Sequence, residues 1–132
     1  MLEIVNTTKT KIDTKFLQKA AQAAFAVLNT EKDISLVFVG DAKMKAVNKK
    51  YRRKNKTTDV LSFEELNEIF ISLLVAKKQS KLLKTSLKAE LTRLLTHGIV
   101  HLSGYDHEKS ASEAERMFAV ETKILDKINE KR

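Results

Sequence analysis

The chain contains no cysteine, no proline and no tryptophan, and only three glycines among its 132 residues. Without cysteine it can form neither disulfides nor thiolate metal sites, so any metal site must use nitrogen and oxygen donors. Without proline, its turns must rely on glycine, asparagine, aspartate and serine. Only two tyrosines are present, so extensive stacking of nucleobases on aromatic side chains is not expected.

Long apolar runs are also missing. No stretch approaches the roughly 20 apolar residues of a membrane-spanning helix, and residues 1–5, MLEIV, lack the basic start and apolar core of a signal peptide. We therefore expect a cytoplasmic protein without membrane association. A chain of 132 residues with 42% hydrophobic content is long enough for a single compact domain over residues 1–132 and too short for a second.

Acidic residues are absent from one long segment. Between Ala42 and Thr58 there are eight basic residues, and because the other 17 basic residues balance the 17 acidic ones, this segment carries the whole net charge of +8. Such a cluster is what binding to a phosphate backbone requires, whereas a solvated lysine-rich surface is the simpler alternative. We predict nucleic acid as the partner, bound by Lys43, Lys49, Lys50, Arg52, Arg53, Lys54 and Lys56.

All three histidines of the chain, His97, His101 and His107, fall within eleven residues. Residues four apart on a helix lie on one face, so His97 and His101 can reach a common ion. Gly104 can end the helix with a positive φ and return His107 to the same point. A histidine pair alone is often only a surface feature, but three imidazoles with an open fourth position suit catalytic zinc. We predict one Zn²⁺ per chain at this helix–loop junction.

The position of the pair on its helix supports this prediction. Apolar residues at helical spacing define a buried stripe, formed by Leu87, Leu91, Leu94, Leu95, Gly98 and Leu102. His97 and His101 project from the edge of that stripe, in line with Glu90 and Ser86. A histidine that served only in the core would more naturally replace one of the leucines.

The order of the predicted elements indicates the fold class. Strands are expected at 2–6, 34–39, 59–63 and 68–74, and helices after Asp13 or Thr14, at 42–51, at 83–102 and at 110–129. A basic loop occupies 52–58 and a lysine-rich segment 77–88. This order predicts an α+β domain with a mixed sheet of about four strands packed against about four to five helices. In the last helix Glu113, Glu115 and Glu121 are expected to be solvated.

Two segments together resemble the YbeY family: residues 47–63, VNKKYRRKNKTTDVLSF, and residues 97–107, HGIVHLSGYDH. The similarity runs from the first strand to the final helix. Members of this family are bacterial zinc-dependent endoribonucleases that mature ribosomal RNA. The resemblance implies a single-domain α+β fold, zinc bound by the three histidines, and an essential arginine at Arg52. It further implies processing of the 3′ end of 16S ribosomal RNA, ribosome quality control, and partners among the small-subunit proteins.

The hairpin between the predicted third and fourth strands departs from the family pattern. Thr57 and Glu64 stand where prolines are usual, Asn67-Glu68 replaces Gly-Asp, and the loop between the strands is shorter than typical. These changes concern the hairpin geometry and not the histidine segment.

The histidine spacing also equals that of the metzincin peptidases, in which a glutamate follows the first histidine and takes a proton from the zinc-activated water. Here that position is Gly98, so a metalloprotease is only a minor alternative. For an endoribonuclease, zinc would activate either water or the ribose 2′-OH, and Arg52 would hold the scissile phosphate. Arg52 and His107 are the predicted catalytic residues. The alternative of another class is a ribosome-assembly RNA-binding factor with a structural zinc and little nuclease activity. The sequence does not indicate an oligomeric state.

Overall fold

The computed structural model describes residues 1–129, in which four strands and five helices form an α+β domain. Their order is β1 (Leu2–Asn6), α1 (Lys15–Leu28), β2 (Ile34–Val39), α2 (Asp41–Arg52), β3 (Val60–Phe63), β4 (Glu68–Ser72), α3 (Leu73–Leu82), α4 (Leu87–Leu102) and α5 (Ala111–Asn129). The predicted fold class and number of strands are thereby confirmed. Within the described residues, no helix is long and apolar enough to cross a membrane.

The strands form one mixed sheet in the order β1-β2-β4-β3. β1, β2 and β4 are parallel, whereas β3 runs antiparallel to β4, with Val60 opposite Ile71 and Phe63 opposite Glu68. The hairpin forms without the family's glycine because Asn67 takes φ 50°, and asparagine tolerates the left-handed region better than most residues. This hairpin places β3 at the edge of the sheet.

Both faces of the sheet are covered by helices. Alternate residues of β2 and β4, such as Phe38 and Ile69, face a large core shared with α1, α4 and α5. The opposite face holds a smaller cluster in which Val39 of β2 contacts Met44 and Val47 of α2. The predicted strand at 34–39 is therefore confirmed, and its nearly continuous apolar sequence suits a strand covered on both faces.

The prediction for residues 73–88 was wrong in two respects. β4 ends at Ser72, and Leu73 and Leu74 begin helix α3, which the sequence analysis did not include. Ser72 caps this helix because its side chain accepts a hydrogen bond from the Val75 amide at 3.2 Å. The residues on both sides of Ser72 are apolar from Ile69 to Ala76, so the sequence does not mark the change from strand to helix.

Smaller corrections concern the ends of α2 and α4. Arg52 was assigned to the basic loop but lies in the last turn of α2, and the loop begins at Arg53, which ends the helix with φ 57°. Tyr51 is at helical spacing from the buried Met44 and Val47, which predicts an inward position, but it is 52% exposed. α4 starts at Leu87 and not at Leu83, because Ser86 accepts a hydrogen bond from the Ala89 amide at 3.0 Å and caps the helix.

Candidate active site

A cavity of about 1020 Å³ lies where the end of α2, the β3–β4 hairpin, α4 and the loop after α4 meet. Strand β3 is at the edge of the sheet, so its outer side is open to this space. Its lining includes Tyr51, Arg52, Asp59, Phe63, Glu64, Glu65, Arg93, His97, His101, Asp106, His107 and Glu108. The predicted catalytic and metal-binding residues thus line one cavity.

All three histidines reach the cavity from the predicted directions. His97 and His101 lie in the last turns of α4, at the margin of the buried face of the helix. Gly104 has φ +102°, a conformation that favours glycine, and it turns the chain so that His107 also lines the cavity. The ring centroids of His97 and His107 are 5.4 Å apart.

His97 is fixed by a carboxylate from α5. Its Nδ1 lies 2.7 Å from Glu121 Oε1, and because a carboxylate only accepts hydrogen bonds, Nδ1 carries the proton and donates it. The prediction that Glu121 is solvated was therefore wrong. This bond leaves Nε2 of His97 with its lone pair free, which is the arrangement that histidine ligands of metals almost always have.

The donor chemistry of the site fits zinc, but the side chains are not gathered into a coordination shell. Across residues 1–129, no group of three His, Asp or Glu side chains is placed closely enough to hold a metal ion. Two imidazoles bound to one tetrahedral zinc at about 2.0–2.1 Å would have ring centroids about 5 Å apart, close to the 5.4 Å between His97 and His107. The bond between Glu121 and His97 and the shared cavity are the features that fit a metal.

The basic residues divide into one that lines the cavity and several that surround it. Arg52 lines the cavity from the last turn of α2. Asn48 is buried and its Nδ2 donates to the Lys56 carbonyl at 2.8 Å, which ties the basic loop to α2. The other residues predicted to bind RNA are exposed on α2 and this loop and do not line the cavity: Lys43, Lys49, Lys50, Arg53, Lys54 and Lys56.

A second guanidinium, Arg93, lines the cavity and was not recognised in the sequence. Its Nε and terminal nitrogen donate to the two oxygens of Glu90 at 3.0 and 2.7 Å. Glu90 is only 1% exposed, although the sequence placed it in line with the histidines at the edge of the helix. The hydrogen bonds that Arg93 donates to Glu90 raise the pKa of Arg93, and its partial burial opposes this rise. Gln79 also donates to Glu90 and, at 3.4 Å, to Asp59.

Two residues of the histidine segment have structural roles. Asp106 Oδ1 accepts a hydrogen bond from the Glu108 amide at 2.9 Å, so it shapes the turn that carries His107. A Cβ atom at Gly98 would lie 2.8 Å from Ile69 Cδ1 in the core. This close approach of α4 to β4 explains the glycine, and a peptidase glutamate at position 98 would have to displace Ile69.

Comparison with known proteins gives a consistent result. The family model described as Endoribonuclease YbeY matches residues 3–129. Proteins named Endoribonuclease YbeY are similar to this chain: that of Persephonella marina is 38% identical over 89% of this chain and 84% of its own length. That of Aquifex aeolicus is 37% identical over 96% of this chain and 91% of its own length, and that of Thermodesulfovibrio yellowstonii 47% identical over 72% and 66%.

The solution structure of a Thermotoga maritima protein has the same fold, with a TM-score of 0.71, 24% identity, and coverage of 97% of this chain and 89% of that one. The family model covers nearly all of the described residues, and the two segments noted in the sequence lie within the match. The chain belongs to the YbeY endoribonuclease family.

Proposed function

We propose that this protein is a zinc-dependent endoribonuclease that cuts single-stranded RNA and matures the 3′ end of 16S ribosomal RNA. The observation that carries the proposal is that His97, His101, His107 and Arg52 line one cavity, next to the acid-free basic segment. Membership of the YbeY family supports the ribonuclease activity. A cytoplasmic location, a role in ribosome quality control and contact with small-subunit proteins are parts of the same proposal.

His97, His101 and His107 would hold the metal. A bound Zn²⁺ would lower the pKa of a water molecule to about 7 and polarise a phosphoryl oxygen. Glu121 keeps the proton of His97 on Nδ1 and so keeps Nε2 available. His107, on a turn after the helix, would complete the ligand set.

Arg52 would bind the scissile phosphate through two parallel N–H donors, which suits a planar guanidinium better than an ammonium. Its position at the carboxyl end of α2 makes it the cavity-lining member of a row of exposed cations. The other basic residues would attract the RNA backbone and guide it past Arg52. Phosphodiester cleavage would then occur between Arg52 and the histidines.

The nucleophile is either water or the neighbouring ribose 2′-OH, and the products distinguish them. Attack by the 2′-OH leaves a 2′,3′-cyclic phosphate, whereas attack by water does not. Mass spectrometry of RNA fragments after short incubation would detect the cyclic product. Direct attack by water is ruled out if the cyclic phosphate is the first product.

The proposal is tested with His107→Ala and Arg52→Ala, with Lys78→Ala on α3 as a control for the loss of an exposed charge. For each variant we would measure zinc content, thermal stability and cleavage of single-stranded and duplex RNA from the 3′ end of 16S ribosomal RNA. We expect His107→Ala to lose zinc and cleavage. Arg52→Ala should keep zinc and fold but cleave more slowly by a factor of about 100.

The competing function is that of an RNA-binding assembly factor with a structural zinc. It predicts that folded protein with one bound zinc per chain binds the same RNA and leaves it intact. In that case the nuclease proposal fails. An untagged protein must be used, because a histidine tag would add ligands to a chain with only three histidines.

A further inference from the structure

Tyr51 presents an aromatic ring to the cavity beside Arg52. The ring is 52% exposed, although it follows Met44 and Val47 on the apolar side of α2. It packs on Phe63 with a centroid distance of 5.1 Å and a tilt of 54°. Phe63 in turn meets Phe70 edge-on at 5.8 Å. The Tyr51 ring is therefore supported by the smaller core while much of its surface faces solvent.

Two cationic residues, Lys50 and Arg52, are next to Tyr51 in the chain. The Lys50 ammonium lies over the Tyr51 ring, 5.1 Å from the centroid, and Arg52 follows directly in sequence and lines the same cavity. An ammonium above an aromatic face marks a face that a flat ligand can reach by displacing an exposed lysine side chain. A phosphate bound to Arg52 would bring its own nucleobase close to that face.

The simplest alternative is that Tyr51 only shields Phe63 from water. A side chain with that role alone would be expected to cover its neighbour and to become largely buried itself. Tyr51 instead keeps half of its surface exposed at the cavity wall, with the Lys50 ammonium over its ring and Arg52 next to it in the chain. Its exposure, its support by Phe63 and the charge around it together fit a platform for an anionic ligand that carries a flat ring.

We propose that Tyr51 stacks an unpaired nucleobase of the RNA whose phosphate is bound by Arg52. This inference rests on the proposed function and deepens it, because it adds a contact that selects single strands. A base within a duplex is stacked and paired, and is not available to a side chain. Every base has a flat π-face, so the contact would favour single strands without choosing a sequence.

The test uses the fluorescence of the chain itself. Tryptophan is absent and Tyr51 and Tyr105 are the only tyrosines, so in Tyr105→Phe the tyrosine emission comes from Tyr51 alone. The zinc-loaded full chain would be titrated with a short 2′-O-methyl oligoadenylate and with an abasic oligomer of equal length and charge. We expect the oligoadenylate to quench the Tyr51 emission and the abasic oligomer to leave it nearly unchanged.

Affinities of matched variants complete the test. Tyr51→Ala should weaken binding of the oligoadenylate about ten-fold and leave binding of the abasic oligomer unchanged, whereas Tyr51→Phe should retain both affinities. The control is Phe118→Ala, which removes another exposed aromatic ring that does not line the cavity. It should bind both oligomers as the unchanged protein does. Circular dichroism would verify that each variant is folded.

Equal quenching by both oligomers would overturn the inference, and so would an equal loss of affinity for both in Tyr51→Ala. A Tyr51→Ala variant that binds both normally would also overturn it. Because binding is measured without cleavage, these results leave the nuclease proposal intact if the unchanged protein cuts RNA. If the unchanged protein does not cut RNA but its Tyr51 emission is quenched only by the oligomer with bases, the nuclease proposal is rejected and the stacking site is supported.

Discussion

At the scale of single residues, the contact between His97 and Glu121 leads to a prediction about metal affinity. Substitution Glu121→Gln should weaken zinc binding about ten-fold or more, because the amide holds the imidazole less firmly and makes it a poorer donor. Competition with a chromophoric chelator measures this affinity without reference to RNA cleavage. Glu115→Gln, at an exposed position of the same helix, is the matched control. Equal affinities in the two variants would show that Glu121 does not support a metal ligand.

Gly98 leads to a second prediction at this scale. Gly98→Ala should lower the free energy of unfolding by about 1–2 kcal/mol, because the strain of overpacking exceeds the better helix propensity of alanine. The added Cβ meets Ile69 Cδ1 at 2.8 Å, so Ile69→Val, which lacks that atom, should recover part of the loss. Urea unfolding of the two single variants and the double variant gives the coupling. If the double variant loses as much stability as the two single variants together, the contact between position 98 and Ile69 is not the cause.

Some residues of the site could be predicted and others could not. The three histidines and Arg52 were found because they are close together in sequence or belong to recognisable segments. Glu121 was missed because its partner is 24 residues away, and only the packing of α5 on α4 brings them together. The spacing of Glu90 and Arg93 was visible, but their burial depends on α3, which the local sequence did not reveal.

At the scale of elements, the boundary between β4 and α3 shows why local patterns fail. The residues on both sides of Ser72 are apolar, and a strand buried on both faces and a buried helix have the same composition there. Longer segments with clear periodicity were predicted to within a few residues. The strand at 34–39 and the last helix are examples, although the latter begins at Ala111 and not at 110.

The ion pair between Arg93 and Glu90 within α4, which Gln79 of α3 joins by a hydrogen bond to Glu90, provides a prediction at this scale. Arg93→Ala should lower the free energy of unfolding by about 2–3 kcal/mol, because it leaves the buried Glu90 carboxylate with a neutral partner only. This value is at the low end for a buried pair because the Arg93 side chain is 47% exposed. Arg116→Ala is the matched control. Arg116 pairs with Glu113 at the same spacing and at 2.7 Å, but its side chain is exposed. This substitution should lower the free energy of unfolding by less than about 1 kcal/mol. Similar losses in both variants would refute the distinction.

The direction of the Arg93 pKa shift determines how this pair depends on pH. Because Glu90 raises the pKa of Arg93 in the folded chain, the stability gained from the charged guanidinium is complete below the pKa of the unfolded state. It is lost only as the pH rises through the higher folded value. Arginine titrates far above neutrality. The difference in the free energy of unfolding between the original protein and Arg93→Ala should therefore stay constant between neutral and mildly alkaline pH, and any change in it would come from other groups.

At the scale of the whole molecule, the class and number of strands followed from the sequence but the strand order did not. Nothing local indicates that β4 lies between β2 and β3. That order depends on which strands pair across long connections, and it is what leaves β3 at the open edge beside α4. The cavity is therefore a product of topology, although its residues could be identified beforehand.

The concentration of the net charge on α2 and its following loop predicts a strong dependence of RNA binding on salt. Each phosphate contact on a single strand contributes about −0.7 to the slope of log K against log salt concentration. The double substitution Lys49→Gln and Lys50→Gln should therefore reduce the slope by about 1.4. Lys78→Gln on α3, outside the segment, should leave it unchanged. Equal slopes for the original and the double variant would place the RNA elsewhere.

The order of elements along the chain has a consequence for its synthesis. Translation proceeds from the amino terminus, so the nascent chain exposes the whole cationic segment before any of the three histidines, which begin at position 97, has been made. Glu121, which fixes His97, belongs to the final helix. If the cationic segment binds RNA and Glu121 supports the metal site, as proposed, attraction to RNA would be acquired early and cleavage only once the last helix has docked. An unfinished polypeptide beside the translating ribosome would then touch that RNA without cutting it.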